Sequence, residues 1–503
     1  MTDALATRPV PGTPRPYEFP GFERHRLGNG LAVLVVDLPG RPLVSASVVL
    51  RSGAADEPAA VAGSAVLAAR ALTEGTERYD AIGLIEAAER LGASVHAEAS
   101  WDATSASVEV PAARLEPALE LIAEMLMRPT FPAAEVERLR DERLNDLLQA
   151  RADPRRRADE AFAETIYAPE SPYHRPSGGT RETVALLNAQ SIREAHGRAL
   201  GAGRAVLIVA GDLGDLDVPV MADRLFGSMG GGVKALGGAI VDDGAVDDRF
   251  VRVIHRPGAV QTEIRIGHPG LSRRTPDFHA LSVMGAILGG LFNSRLNMKL
   301  REEKGYTYGA GAGFDLRRGA GPFAARAAVN TEATVPAISE FVAEIARMRE
   351  EPVTEAELKA ARDFLVGVFP LRFETPGPVV GALSGLHIHE LPDNELARYR
   401  PAIEAVTIDD VRRVAQEHID LEHAAIVLVG DADAFGTELE RAGFGPVVVE
   451  RDEGPLAEAP IEDEVGPLDS GHEGPTEGAE TPQEADATKG ATDRAGDDAV
   501  RDR

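Results

Sequence analysis

The chain repeats itself. VLIVAGDL at 206–213 has a counterpart in AIVLVGDA at 425–432, and the two Gly-Asp strand ends, Gly211 and Gly430, stand 219 residues apart. Upstream of each runs a helical segment, SIREAHGRAL and IDDVRRVAQEHI, at nearly the same offset. LGASVHAEASWD at 91–102 answers to KGYTYGAGAGFD at 304–315, 213 residues further on. Each is followed by alternating strand-like residues and then an amphipathic helix, RLEPALELIAEML in one place and TVPAISEFVAEIARM in the other. An internal repeat dictates architecture, and one of this length means two copies of a domain. The 503 residues are also more than one hydrophobic core can organise.

Within a copy the order reads strand, strand, helix, strand, strand, helix, helices, strand. LAVLVVDL and LVSASVVLRSG carry β-branched runs, GSAVLAARALTEG is a helix of small residues ending at Gly75, and ATSASVEV alternates as a strand does. Residues 134–168 are helical with a break at Pro154. Hairpins and helix pairs, not strict strand–helix alternation, predict α+β: two tandem homologous domains, each a mostly antiparallel sheet with helices covering one face. Residues 1–20 read as a flexible N-terminal segment, 21–226 as the first domain and 249–450 as the second. GSMGGGVKALGGAIVDDGAVDD, at 227–248, has a linker's composition. Residues 451–503 hold 16 acids against 5 basic residues and almost no large apolar side chain, which predicts a disordered acidic tail.

Charge and composition then remove whole classes of function. A formal net charge of −28 argues against a nucleic-acid partner, since affinity for a phosphate backbone comes from clustered Lys and Arg. No cysteine is present, which excludes disulfides, thiolate metal sites and cysteine nucleophiles. With no apolar run of about 18 residues and no basic-then-apolar leader, neither a membrane span nor a signal peptide is expected. A cytoplasmic location is the expectation.

Six landmarks in order carry a resemblance: HRLGNGLAVLVV, LTEGT at 72–76, LGASVHAEASWDATSASVEV, SPYHRPSGGT at 171–180, the two Gly-Asp strand ends, and LREEKGYTYGA at 300–310. Over residues 20–450 the chain resembles the zinc metallopeptidases that include insulinase, pitrilysin and the mitochondrial processing peptidase. The resemblance implies two such domains forming half of a clamshell. It also implies H-x-x-E-H on the helix before the Gly75-Thr76 turn, where two His bind zinc and the Glu acts as base. The positions fall here on Val66, Ala69 and Arg70, and that of the third ligand on Asp146. One carboxylate cannot replace three protein ligands, and Arg70 puts a fixed positive charge where the cation would sit. No metal is therefore expected on this chain. Arg70 and Asp146 should converge instead, with Arg143, one turn earlier, competing for the carboxylate.

LREEKGYTYGA keeps the family's pattern. In catalytic relatives an Arg and a Tyr seven apart donate to the substrate backbone near the scissile carbonyl; the matching residues are Arg301 and Tyr308. Arg301 closes a helix, Gly305 permits a left-handed cap, and Tyr308 is expected to project from the following strand. The bland alternative pairs Arg301 with Glu302 or Glu303 and buries Tyr308 in the core. Weaker candidates read as structural: His387 and His389 as a satisfied polar pair, His418 and His423 as cap or surface residues. GAGAG at 309–313 reads as small residues where another backbone comes close, and GGGVK at 230–234 lacks the ending of a phosphate loop. The expected role is a zinc-free subunit with no catalytic residue of its own. A homologous partner carries the zinc, and an unfolded peptide is the substrate. The rival is a catalytically inactive scaffold or peptide-binding protein of the same fold.

Overall fold

The computed structural model describes residues 16–230 and 248–451. Most of the N-terminal segment and linker, and all of the tail beyond Arg451, lie outside the described residues. The first half runs β1 (Glu23–Arg26), β2 (Ala32–Asp37), β3 (Leu43–Leu50), α1 (Ser64–Ala71), α2 (Ala81–Arg90), β4 (Ser94–Ala99), β5 (Thr104–Pro111), α3 (Leu115–Met127), α4 (Ala133–Ala152), α5 (Pro154–Ile166), α6 (Arg181–Ala185), α7 (Ala189–Ala199), β6 (Ala205–Gly211) and α8 (Val218–Phe226). The second runs β7 (Phe250–His255), β8 (Gln261–Pro269), α9 (Phe278–Gly285), β9 (Ala310–Phe314), β10 (Pro322–Asn330), α10 (Thr334–Glu350), α11 (Glu355–Val368), α12 (Pro376–Ile388), α13 (Glu395–Ala405), α14 (Ile408–His418), β11 (Ala425–Gly430), α15 (Ala432–Ala442) and β12 (Val447–Arg451). The α+β class and the repeat are both present.

Each half builds one six-stranded sheet, ordered β1-β2-β6-β3-β5-β4 and β12-β7-β11-β8-β10-β9. β6 and β11 are buried along their whole length. Apolar on both faces, they sit inside their sheets, each beside a parallel partner, β2 or β7. β3 lies antiparallel between β6 and β5, with Ser47 opposite Ile208 on one side and Ser107 on the other. β4 alternates exposed and half-buried residues, as the edge strand it is. The sheets differ at the opposite edge, where β1 runs antiparallel to β2 and β12 parallel to β7.

Helices were expected on one face of each sheet; the structure covers both. On one face of the first sheet, Leu31, Val33, Val44 and Leu207 pack with α1, α3 and α7. On the other, Leu34, Val36, Val206 and Ile208 meet Phe369, Phe373, Val379 and Leu383, from α12 and the segment before it. Reciprocally, Ala158, Ala161, Phe162 and Ile166 of α5 cover Ile254, Val427 and Val429 of the second sheet. The halves have each lent a helix to the other. The break at Pro154 makes one loan possible: α4 stops at Ala152, Asp153 accepts the Arg156 amide at 2.9 Å, and the chain restarts as α5 in a new direction.

The β9–β10 loop strengthens this junction. Arg318 pairs with Asp56 at 2.6 Å, and its backbone amide donates to Asp102 at 2.9 Å. Arg317 lies 4.9 Å from the Trp101 ring and 4.8 Å from that of Tyr173. Tyr167 donates its hydroxyl to the Ala320 carbonyl at 2.8 Å. Arg318 and Asp56 are largely buried, so removing either charge would strand the other, at a cost of about 3–5 kcal/mol. Among the described residues no helix is long and apolar enough to cross a membrane.

Candidate functional site

α1 is positioned by Glu57, whose carboxylate accepts the Gly63 amide at 2.7 Å, the Ala65 amide at 2.9 Å and the Ser64 hydroxyl at 3.2 Å. Burial nonetheless holds this carboxyl above its usual range. From that start α1 presents Val66 half-buried, Ala69 fully buried and Arg70 exposed. Arg70 does not meet Asp146; its Nη2 donates to Glu142 at 2.8 Å. Glu142 precedes Asp146 by one turn of α4, about 6 Å along the axis, and its longer side chain reaches the end of α1 first.

Asp146 is already spoken for. Arg143 donates to it from one turn earlier, and Arg156 forks onto both carboxylate oxygens at 2.8 and 3.1 Å. Arg156 foremost, with Arg143, holds the carboxyl below its usual range. Arg143 also donates Nε to the Gly178 carbonyl at 3.0 Å, and a side chain at Gly178 would collide with the guanidinium. Zinc does not fit these residues. Val66 and Ala69 offer no ligand atom, Arg70 is a cation, and two guanidinium groups occupy the one carboxylate.

The second half arranges its polar groups differently. A π-helical turn over Asn297–Glu303 ends at Gly305, whose φ of +66° is the left-handed conformation that glycine adopts without strain. Asn297 then ties three segments together, donating to the Leu291 carbonyl at 3.1 Å and the Ser294 hydroxyl at 3.2 Å while accepting the Ala310 amide at 2.9 Å. Thr307 donates to the Ala328 carbonyl at 2.7 Å. Tyr308 is therefore held on a pinned backbone, two residues before β9 and not on the strand as expected. It is 92% exposed, which removes the core alternative. Arg301 lies over the Phe292 ring at 4.4 Å, and among the described residues its only ion contact is Glu302 at 3.5 Å from Nε, beyond useful hydrogen-bond geometry. Among the described residues neither the Arg301 guanidinium nor the Tyr308 hydroxyl is spent on a hydrogen bond. Phe292 went unnoticed in the sequence, although a lone aromatic in GGLFNS stands out where aromatics make up 5% of the chain.

The remaining candidates read as structural, but the expected satisfied pair is only half met: His387 has a partner, whereas Nδ1 of His389 is buried with none among the described residues. His387 contacts the Arg204 carbonyl at 2.9 Å through Nε2, joining α12 to the start of β6. Burial, with Arg273, Arg318 and Arg274 nearby, pushes His389 down to about 4. His418 contacts Asp277 at 2.8 Å beside Arg413, and His423 contacts Asp420 at 2.7 Å. Arg413 bridges Asp277 and Glu417, so the cluster these form with His418 already holds its cation. In the His255, Asp431 and Asp433 cluster, Nδ1 of His255 accepts the Ala432 amide, which leaves Nε2 as the protonated nitrogen. The close approach expected at GAGAG is present: a Cβ on Gly289 would lie 2.8 Å from the Gly311 carbonyl carbon. GGGVK lies outside the described residues beyond Gly230.

Residues 32–175 match the family described as insulinase (peptidase family M16), and residues 187–365 match the peptidase M16 inactive domain. An uncharacterised zinc protease of Mycobacterium leprae is 25% identical over 411 residues, covering 81% of this chain and 92% of that relative. A non-peptidase homologue of Helicobacter pylori is 22% identical, covering 73% of this chain and 84% of its own length. The crystal structure of a peptidase M16 inactive domain from Pseudomonas fluorescens superposes with a TM-score of 0.76 at 25% identity, covering 82% of this chain and 98% of that one.

Proposed function

The chain belongs to the insulinase family, peptidase family M16, and on that premise we propose that it is the zinc-free subunit of a two-chain cytoplasmic peptidase. It lends Arg301 and Tyr308 to a zinc site carried by a homologous partner. One observation carries the reading: on a frame pinned by Asn297 and Thr307, Tyr308 is exposed and Arg301 half-buried, and among the described residues neither spends its donors on a hydrogen bond. A guanidinium and a phenol suit a peptide carbonyl gaining negative charge. Among the described residues the edge strands β4 and β9 each have one side unpaired in their sheets, where an unfolded peptide can add as a further strand.

A second reading, an inactive scaffold or peptide-binding protein, is favoured by the Helicobacter pylori relative that is named a non-peptidase homologue. Reconstitution separates the two. The chain is used to capture a homologue bearing an intact H-x-x-E-H, and the purified pair is assayed for peptide hydrolysis against each chain alone. Turnover by the pair only, lost with Tyr308→Phe while the complex still forms, supports the subunit. A pair that works equally well with Arg301 and Tyr308 both replaced overturns it.

A further inference from the structure

Phe292 is 68% exposed, yet its turn is among the better fastened in the second half. Its neighbour Leu291 is buried and Ser294 fully so, and both are held by the Asn297 side chain. The ring's exposure is thus a property of a fixed backbone. One face of the ring carries the Arg301 guanidinium at 4.4 Å, a cation–π contact that fixes the plane of the donors. The rest of the ring is open. A flat cation with free N–H groups, laid on an exposed aromatic surface, matches a peptide carbonyl flanked by an apolar side chain.

We infer that Phe292 is a specificity-determining residue of the peptide-holding surface. Arg301 takes a backbone carbonyl, and the ring beneath it takes the large apolar side chain next to that carbonyl. The inference rests on the reading that this face holds a peptide. Removing the ring therefore costs selectivity between peptides, whereas removing Arg301 weakens every peptide alike.

The full-length chain is titrated, by fluorescence anisotropy, with two fluorescein-labelled unstructured peptides that differ only in a central Leu or Ser. The wild type should prefer the Leu peptide by about tenfold. Phe292→Ala should abolish the preference, Phe292→Tyr should keep it, and Arg301→Lys should weaken both peptides equally; thermal midpoints establish that each variant is folded. If the wild type binds neither peptide, the peptide-holding reading itself fails. If it binds both equally, or if Phe292→Ala keeps the preference, that reading stands and the role given to Phe292 is overturned.

Discussion

The two halves share the order of five strands, differing only in the strand at one edge, but treat their polar groups in opposite ways. Between α1 and α4 the charges close on one another: Arg70 on Glu142, Arg138 on Glu142 and Glu74, and Arg143 with Arg156 on Asp146. Ahead of β9, Arg301 and Tyr308 leave their donors open on a rigid support. A cluster that uses up its own hydrogen bonds is a joint of the fold. One whose donors face solvent contributes little to folding and leaves them available to another molecule. Within one duplicated architecture, the first site has become structure and the second has stayed available.

The largest effect expected from that contrast is catalytic. Arg301→Ala or Tyr308→Phe should lower kcat of the reconstituted pair by about 100-fold, the scale for losing one oxyanion donor, with assembly intact. Unchanged turnover would put the two halves on the same footing. Next in size is metal uptake. Rebuilding Val66→His, Ala69→Glu and Arg70→His should give only weak zinc binding, because Arg143 and Arg156 still hold Asp146. Adding Arg156→Ala should tighten it by about 10-fold or more, measured by competition with a chromophoric chelator. Equal affinity with and without Arg156 would show that the fork on Asp146 does not matter.

Acid should loosen the frame of the second site. Glu357 receives Arg295 at 2.7 and 3.2 Å and caps α11 from the Thr354 amide. Burial alone would raise its pKa, but these donors outweigh it and bring the group down to about 2. A carboxyl depressed on folding stabilises fully above its unfolded value and loses that contribution as pH falls from about 4.5 towards 2. Glu357→Gln should therefore melt earlier than wild type at pH 7, by about 1–3 kcal/mol, and the gap should close across that window. A gap that stays constant in acid would contradict the assignment. Asp146→Asn, which strands two guanidinium groups in the first half, should cost about 1 kcal/mol by chemical denaturation and leave turnover of the pair alone. Smallest of all is Arg70→Ala. Its partner is exposed, so a change above about 0.5 kcal/mol would show that the pair is worth more than surface ion pairs usually are.

The sequence disclosed the joint and the open site to different depths. The Gly211 and Gly430 strand ends, with the helices before them, revealed two copies, and indeed β6 and β11 hold the same place in each sheet. Pro154 marked the break between α4 and α5 because proline cannot continue a helix. Arg156 was missed as the partner of Asp146 for the same reason: spacing along one helix finds Arg143 three residues back, whereas Arg156 reaches Asp146 only after the break. α2 and β1 were not foreseen. α2 is short, with Ile82 and Ile85 exposed, which blurs its apolar stripe, and β1, ERHR, has no apolar residue at all. The cover on the second sheet face was also hidden, because periodicity tells which side of a helix is apolar and not what that side will meet.

The loan of α12 to the first sheet sets a schedule for making this protein. On the ribosome, β6 completes the strands of the first sheet at Gly211, but the side formed by Leu34, Val36, Val206 and Ile208 stays bare until Ile388 has emerged. At roughly 5–20 residues per second that is a wait of roughly 10–35 s for a nascent chain with an uncovered apolar sheet. A fragment ending at the linker would never leave that condition. The first half is thus the intermediate that needs shelter, whereas the second sheet finds its cover, α5, already made.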